Sequence, residues 1–513
     1  MSTAEQQRTP ARAGRREWLG LAVLALPCLL YSMDLTVLHL AVPKLTTDLQ
    51  PSSSQLLWII DIYGFLVAGS LITMGTLGDR IGRRRLLLLG AGAFGAASTA
   101  AAFSTSAAML IATRALLGVA GATIAPSTLS LIRNMFLDPR QRTTAIGIWI
   151  TSFSVGGAIG PLVGGVMLEA FWWGSVFLIG VPVMIVLLIV GPRLLPEYRD
   201  PAAGRLDPVS ALLSLAAVLG VIFGLKRIAQ DGPAIGPALF IVGGAAVGAA
   251  FVRRQLRLAD PLVDLRLFRA PGFTASLATY GLSILFSFGG FLFLPQYLQL
   301  VLGMSPFRGG LWTLPWALAF VVGSLLTPLM VRRVQPAFVM AGGLTLAAIG
   351  FALFTRIDAT TGFAMFAGGS TMFALGLAPV FTLTTDLIVG SAPPEKAGAA
   401  SAISETSAEF GGALGIAIFG SIGVAVYRGM IGDGLPAGVP LQVVDAARAT
   451  LGGAVVAAAA LPEPAGAELT RVARTAFLDG LQICAAISAL GSAALAVLAA
   501  VALRRVRPGA ASS

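Results

Sequence analysis

Residues 75–87 read GTLGDRIGRRRLL. One acid, Asp79, and the basic residues Arg80, Arg83, Arg84 and Arg85 share a turn punctuated by Gly75, Gly78 and Gly82, and apolar runs near 55–77 and 86–104 flank it. A helix needs about 20 mostly apolar residues to cross a bilayer, so the stretch reads as a charged tip joining two membrane spans. The same rhythm repeats along the chain, with runs near 18–42, 108–132, 143–168, 172–192, 209–228, 235–252, 272–297, 308–331, 337–356, 361–386, 398–427 and 476–503. Together these predict fourteen spans. The runs are continuous rather than alternating, which favours helices over a barrel. Composition agrees: of 513 residues, 56% are hydrophobic and 12% charged, with mean hydropathy +0.85. A soluble domain carries about 25% charge, so a cytosolic enzyme, a secreted disulfide scaffold and a disordered chain are excluded.

The net charge of +11 follows membrane topology. Most of the 35 basic residues fall in the N-terminal tail and after even-numbered spans, as in Arg8, Arg12, Arg15 and Arg16, the 75–87 turn, and Arg253, Arg254 and Arg257. The positive-inside rule then predicts both termini in the cytoplasm of a bacterial cell, with the protein in its membrane. No nucleic-acid partner is needed to explain the charge. The first apolar run lacks a cleavage site and reads as a retained span.

The long connectors 193–208 and 253–271 bracket two spans, a 6+2+6 arrangement. The expected domains are a tail 1–17, a six-helix bundle 18–192, a linker with two inserted helices 193–271, a second bundle 272–503 with an outer loop 428–475, and a tail 504–513. The outer loop reads as a hairpin or cap. Cys28 and Cys484 read as inert packing thiols. A single histidine, His39, rules out Cys/His zinc sites and His-based triads, so no metal is expected. None of the lysines, Lys44, Lys226 and Lys396, follows a glycine, so the phosphate-binding loop of an ATP-driven pump is missing.

An ionisable group inside a span costs about 2.5–3.5 kcal/mol on insertion scales. Asp34, Asp61, Arg114, Glu405 and Glu409 bear that cost, and Glu405 and Glu409 lie one helical turn apart on one face. Taking a carboxyl out of water disfavours its charged form. Such a group can hold a proton and release it when an organic cation arrives, which is a minimal antiport device. Trp58, Tyr63, Trp149, Phe153, Phe286, Phe288, Trp316 and Phe381 are candidate ring faces for that cation. Asp386 and Glu169, at span ends, read as interfacial carboxylates, and Trp172 and Trp173 as interface anchors.

The 75–87 stretch resembles the G-x-L-x-D-R-x-G-R-R signature of the major facilitator superfamily through Gly75, Leu77, Asp79, Arg80, Gly82, Arg83 and Arg84. The resemblance implies that fold and an inner gate latched by this loop, with Gly78 and Gly82 permitting its tight turn. SVGGAIGPLVGG in the fifth span, with Gly156, Gly160, Pro161, Gly164 and Gly165, looks like the antiporter signature of that superfamily, Pro161 permitting a kink. Arg114 is similar to its fourth-span arginine, which implies a part in proton coupling. DLTVLHLAVP (Asp34, Thr36, Ala41, Pro43), LWIIDIY (Asp61), LDPRQR, DPLVDLRLF and AGAASAISETSAEFGGALG (Glu405, Glu409) resemble the fourteen-span drug:proton antiporters, most of all the QacA/LfrA-type exporters of quaternary ammonium compounds and dyes. In that group the matching acids, Asp34, Asp61, Glu405 and Glu409, are implicated in cation and proton handling. An acid that QacA carries in the tenth span is absent from WALAFVVG here, which points to monovalent more than divalent cargo.

The expected activity is therefore multidrug efflux by a monomeric, all-α membrane transporter and not enzymatic catalysis. Its partners would be small cationic substrates, protons and lipid, with the proton gradient as driving force and no cofactor. The alternatives are a same-fold exporter of an endogenous antibiotic or metabolite and, more remotely, a membrane receptor or enzyme.

Overall fold

The computed structural model describes residues 12–199, 207–232, 234–259, 261–358, 362–433 and 441–504. The tail residues 1–11 and 505–513, the linker segment 200–206 and 434–440 of the outer loop lie outside the described residues. So do the side chains of His39, Pro43 and Pro161.

All elements among the described residues are helical. Fourteen helices are long and apolar enough to cross a membrane: Arg15–Leu38, Trp58–Ile81, Arg83–Ala102, Ala107–Met135, Pro139–Ala170, Ser175–Leu194, Pro208–Ile228, Ile235–Gln255, Pro271–Val301, Arg308–Met330, Pro336–Phe354, Phe363–Ser391, Pro394–Ile431 and Ala465–Ala502. Local chemistry starts many of them. Ser52 and Ser106 accept backbone N–H groups of the first turn, and Asp138, Asp207 and Ser305 do so just ahead of a proline at the first helical position. These residues satisfy orphan amides, and proline there loses no hydrogen bond.

Packing repeats between the halves. The first span packs on the fifth, the second on the fourth, and the third on the fourth and sixth. Eight spans later the ninth packs on the thirteenth, the tenth on the twelfth, and the eleventh on the twelfth and fourteenth. The halves meet along the second and thirteenth spans and, by the same symmetry, along the fifth and tenth. The helix pair between them is unequal. Its first member, the seventh span, packs on the second and thirteenth, whereas the eighth packs on the seventh. Only 11% of the eighth span is buried, against 83% of the twelfth, so the eighth faces lipid and the twelfth is core.

The structure refines several expectations, bears out others and corrects a few. The fourth span is two helices, Ala107–Gly121 and Ile124–Met135. Gly78 lies inside the second helix, and Gly82 alone, at φ 109°, makes the turn. The fifth helix is continuous from Pro139 to Ala170, which is compatible with the kink that Pro161 permits. The outer loop is largely helical: the helices on either side extend into it, Ala397–Asp433 and Ala465–Ala502, and the short helices Leu441–Ala449 and Leu451–Ala458 pack between. Its small, polar-interrupted residues hide this from hydropathy. Trp173 is buried and only Trp172 is exposed, donating to the Ala102 carbonyl at 3.1 Å. Cys28 and Cys484 are buried free thiols.

Candidate functional site

An even number of spans among the described residues puts the start of the first and the end of the last on one side, the terminal face, and there the two halves are tied together. Asp79 closes the second helix and Arg83 opens the third, with Arg83 Nε donating to Asp79 Oδ1 at 2.8 Å. Asp79 also accepts the N–H groups of Gly398 (3.2 Å) and Ala399 (3.0 Å). These belong to the first turn of the thirteenth helix, where a carboxylate suits the helix dipole. Arg83 donates to the carbonyls of Pro394 and Glu395 at 2.8 and 3.0 Å. Gly75 allows this approach, since a Cβ there would lie 2.5 Å from Ala402 Cβ and 2.6 Å from the Gly398 carbonyl. Arg84 turns away from the seam, to the carbonyls of Pro192 and Leu195 and to Glu197. Arg80 is half-buried.

A second tie is a correction. Asp386 is not interfacial: it is 3% exposed, accepts from Arg142 Nε at 2.6 Å and takes the Thr143 hydroxyl at 2.6 Å. Arg142 reads in sequence as topological charge, and only the fold brings it to Asp386. Glu169 is exposed at its span end.

Midway through the bundle the charges are arranged differently. Arg114 Nη1 stands 3.6 Å from Asp34 Oδ2, while its Nε donates to the Ile59 carbonyl at 2.5 Å. The guanidinium lies over the rings of Tyr63 and Phe177, at 5.4 and 5.9 Å. Asp34 Oδ2, the Tyr63 hydroxyl and Glu405 Oε1 are buried with no hydrogen-bond partner among the described residues. Asp34 also lines a cavity of about 20 Å³ with Phe94, Ser98 and Phe177, roughly the room one water needs. Glu409 lies one turn beyond Glu405, and the two glutamates neighbour Tyr31 of the first span and Tyr280 of the ninth. Asp61 pairs with Lys226 of the seventh span at 2.7 Å. Asp61 and Lys226 keep 22% and 28% of their side-chain surface while the terminal face is latched.

The predicted aromatics divide. Tyr63, Phe153 and Trp149 form a chain through Tyr31, with centroids 6.1, 5.8 and 4.8 Å apart in turn. The Trp149 indole is committed to Thr128 at 2.9 Å. Phe381 meets Tyr280 edge-on at 5.5 Å. Trp316 sits among Phe291, Phe320 and Phe373 with its indole N–H unpartnered. Trp58 is exposed and stacks on Phe223 of the seventh span. Phe286 instead packs against Gly491 of the fourteenth span, and Phe288 against Gly412 and Gly415 of the thirteenth. In the fifth span, Gly156, Gly160 and Gly164 face Leu29, Met33, Thr36 and Val37 of the first, where a Cβ would collide; Gly165 has open space. Tyr31, Tyr280 and Lys226 were not singled out by sequence. For Lys226 the sequence signal is weak: it is a lysine near a span end, and its partner Asp61 lies 165 residues away.

Comparison with known proteins gives a consistent picture. The family model described as Major Facilitator Superfamily matches residues 24–416. The chain is 44% identical to the multidrug efflux pump LfrA of Mycolicibacterium smegmatis, over 98% of this chain and 99% of that protein. It is 37% identical to the methyl viologen resistance protein SmvA of Salmonella typhimurium, over 93% and 96%. Among solved structures, the human organic anion transporter MFSD10 (TETRAN) matches in fold with TM-score 0.58 at 15% identity, covering 94% of this chain and 99% of that one.

Proposed function

The chain belongs to the major facilitator superfamily of membrane transporters, and from that premise we propose that it exports lipophilic organic cations, quaternary ammonium compounds and cationic dyes among them, in exchange for protons. It is a multi-pass protein of the bacterial cell membrane. In this reading the terminal face is cytoplasmic, the monomer is the working unit, 18–192 and 272–503 are the two moving bundles, and the proton gradient is the only driving force.

One observation carries the proposal. Carboxylates from the first, second and thirteenth spans gather with tyrosines within the bundle, and Asp34 Oδ2 and Glu405 Oε1 lack the hydrogen bonds that buried oxygens require. Such oxygens want a proton or a cation. Methyl viologen, named in one relative, is itself a permanently charged cation, and a divalent one, so divalent cargo stands beside the monovalent cargo that the missing tenth-span acid favours.

The cycle follows from competition at these acids. With the terminal face open, a cation enters among Tyr31, Tyr63 and Tyr280 and lies against Glu405 or Asp34. The halves then rock about this midplane site, and the ties at Asp79–Arg83 and Asp386–Arg142 re-form. Outside, protons take the carboxylates and the cation leaves. Arg114, beside Asp34, offers its own charge when Asp34 is ionised, which couples that acid's proton to the state of the pocket. Protons carried inward beyond charge balance would let the membrane potential contribute, at about 2.3 kcal/mol per charge per 100 mV.

The test is efflux of ethidium or tetraphenylphosphonium from proteoliposomes under an imposed pH gradient, comparing wild type with Asp34→Asn and Glu405→Gln. Gradient-dependent transport by the wild type and its loss in both variants are expected. If neither compound moves, or both variants transport normally, the proposal is wrong.

A further inference from the structure

The seventh span belongs to a helix pair that the duplicated core does not require, yet it is wedged against both halves at the second and thirteenth spans. Its contact is apolar around Val218, Ile222 and Leu225, which meet Phe65, Ala68, Ala413 and Ala417. Above this patch it presents Lys226, whose Nζ is 2.7 Å from Asp61 Oδ1 and 4.5 Å from the centre of the Phe65 ring. Phe65 neighbours Trp58 and Phe223, which stack on each other at 6.3 Å. Glu409, across the seam, lies within electrostatic reach of the same ammonium. A carboxylate and an aromatic face around an ammonium is the chemistry by which proteins hold organic cations.

We propose that Lys226 is a tethered stand-in for cargo: it occupies the Asp61 site while the carrier is empty, and an arriving organic cation displaces it toward Glu409. This inference rests on the reading of the protein as a cation exporter and deepens it by making the inserted helix part of the binding site. The physics is a matter of cost. An acid left unpaired away from water is destabilising, and a tethered cation removes that penalty between loads. Four flexible methylenes let an ammonium swing where a stiffer group would not. A site blocked by an internal competitor binds ligand more weakly by the fraction of time it is open. That weakening favours release.

The experiment is equilibrium binding of radiolabelled tetraphenylphosphonium to the purified full-length protein in nanodiscs. It compares wild type, Lys226→Gln, Lys226→Arg, Asp61→Asn and the Asp61→Asn/Lys226→Gln double variant. Lys226→Gln is expected to bind about tenfold more tightly than wild type, Lys226→Arg, whose stiffer fork holds a carboxylate in two places, to bind no more tightly than wild type, and the double variant to bind no more tightly than Asp61→Asn. A merely structural lysine would not tighten binding when removed. If wild type binds and folded Lys226→Gln binds equally or more weakly, the stand-in role is overturned while cation export stands. It is also overturned if the gain survives in the Asp61→Asn background, because the effect would then be a general field and not competition at that acid. If neither wild type nor Lys226→Gln binds the cation, the export reading falls and this inference with it. Lys226→Met, which keeps the stem against Phe65, replaces the glutamine variant should that one not yield monodisperse protein.

Discussion

The terminal face and the middle of the bundle both bury charge, and they do so in opposite ways. At the face, Asp386 has Arg142 and Thr143 at 2.6 Å each, and Asp79 has an arginine and two backbone amides. In the middle, Asp34 stands 3.6 Å from Arg114 with one oxygen lacking a hydrogen bond, and Glu405 has an oxygen with no hydrogen-bond partner. Networks that are fully satisfied hold a structure together, and half-satisfied ones cost it stability. In the first set every carboxylate oxygen is bonded, although Arg83 Nη1 is not, and the set closes one conformation of the carrier. The second is left to be completed by something that is not protein, and a transporter needs both kinds.

The sharpest way to break this comparison is at Asp386. Asp386→Ala strands Arg142 in the interior and is expected to cost about 3–5 kcal/mol, read as a fall in thermal unfolding temperature in detergent. Arg142→Met with Asp386→Leu should recover most of the loss, since a packed apolar pair replaces a buried ion pair at little cost. A loss below about 1 kcal/mol, as for a surface pair, would show that the tie is not buried in solution. The glycine seam comes next. Gly156→Ala drives a methyl into the Leu29 carbonyl and is expected to destabilise by about 1–3 kcal/mol. Gly165→Ala meets nothing within 4 Å and should be neutral or stabilise by up to about 1 kcal/mol through helix propensity. Equal effects at the two positions would remove the seam.

These particulars bear on what a sequence can convey. Span number, the 6+2+6 pattern and the acids inside spans are legible because lipid penalises every uncompensated polar group, so each exception stands out. The Asp79–Arg83 loop is legible because its glycines and charges are adjacent in the chain. Arg142–Asp386 is not, because its members are 244 residues apart and each looks like ordinary interfacial charge alone. Lys226 fails for the same reason: its partner Asp61 lies 165 residues away, and a lysine near a span end passes for a snorkelling side chain. The helix at 451–458 is missed because its small residues carry little periodic signal, and that at 441–449, although amphipathic, because nine residues are too few to stand out as a span.

The middle set should respond in the other direction from the ties. Glu405→Gln removes an ionisable group that has no complete set of partners and keeps the shape, so stability should hold or rise by about 0.5–2 kcal/mol while gradient-driven efflux is lost. A stability gain accompanied by lost transport is the mark of a group retained for function. A marked fall in unfolding temperature for Glu405→Gln would instead place it among the structural charges, and the contrast with Asp386 would collapse.

The smallest effect is expected outside the membrane, where a satisfied pair meets water. Asp207 precedes the seventh span and accepts from Arg254 at 2.7 and 3.2 Å and from the Ser210 hydroxyl at 2.7 Å. The Arg254 hydrogen bond, then that of Ser210, holds its carboxyl well below the usual carboxylate range. A carboxyl held lower in the folded than in the unfolded chain contributes stability above its unfolded value and loses it as pH falls through the folded one. Unfolding temperatures of wild type and Asp207→Asn should therefore differ slightly at neutral pH and converge in acid. A gap that did not change with pH would mean that asparagine caps the helix less well than aspartate for reasons other than charge. The comparison would then rest on geometry alone: in water, good geometry around a charge gains little, and the same geometry at Asp386 matters because burial leaves that charge no solvent to fall back on.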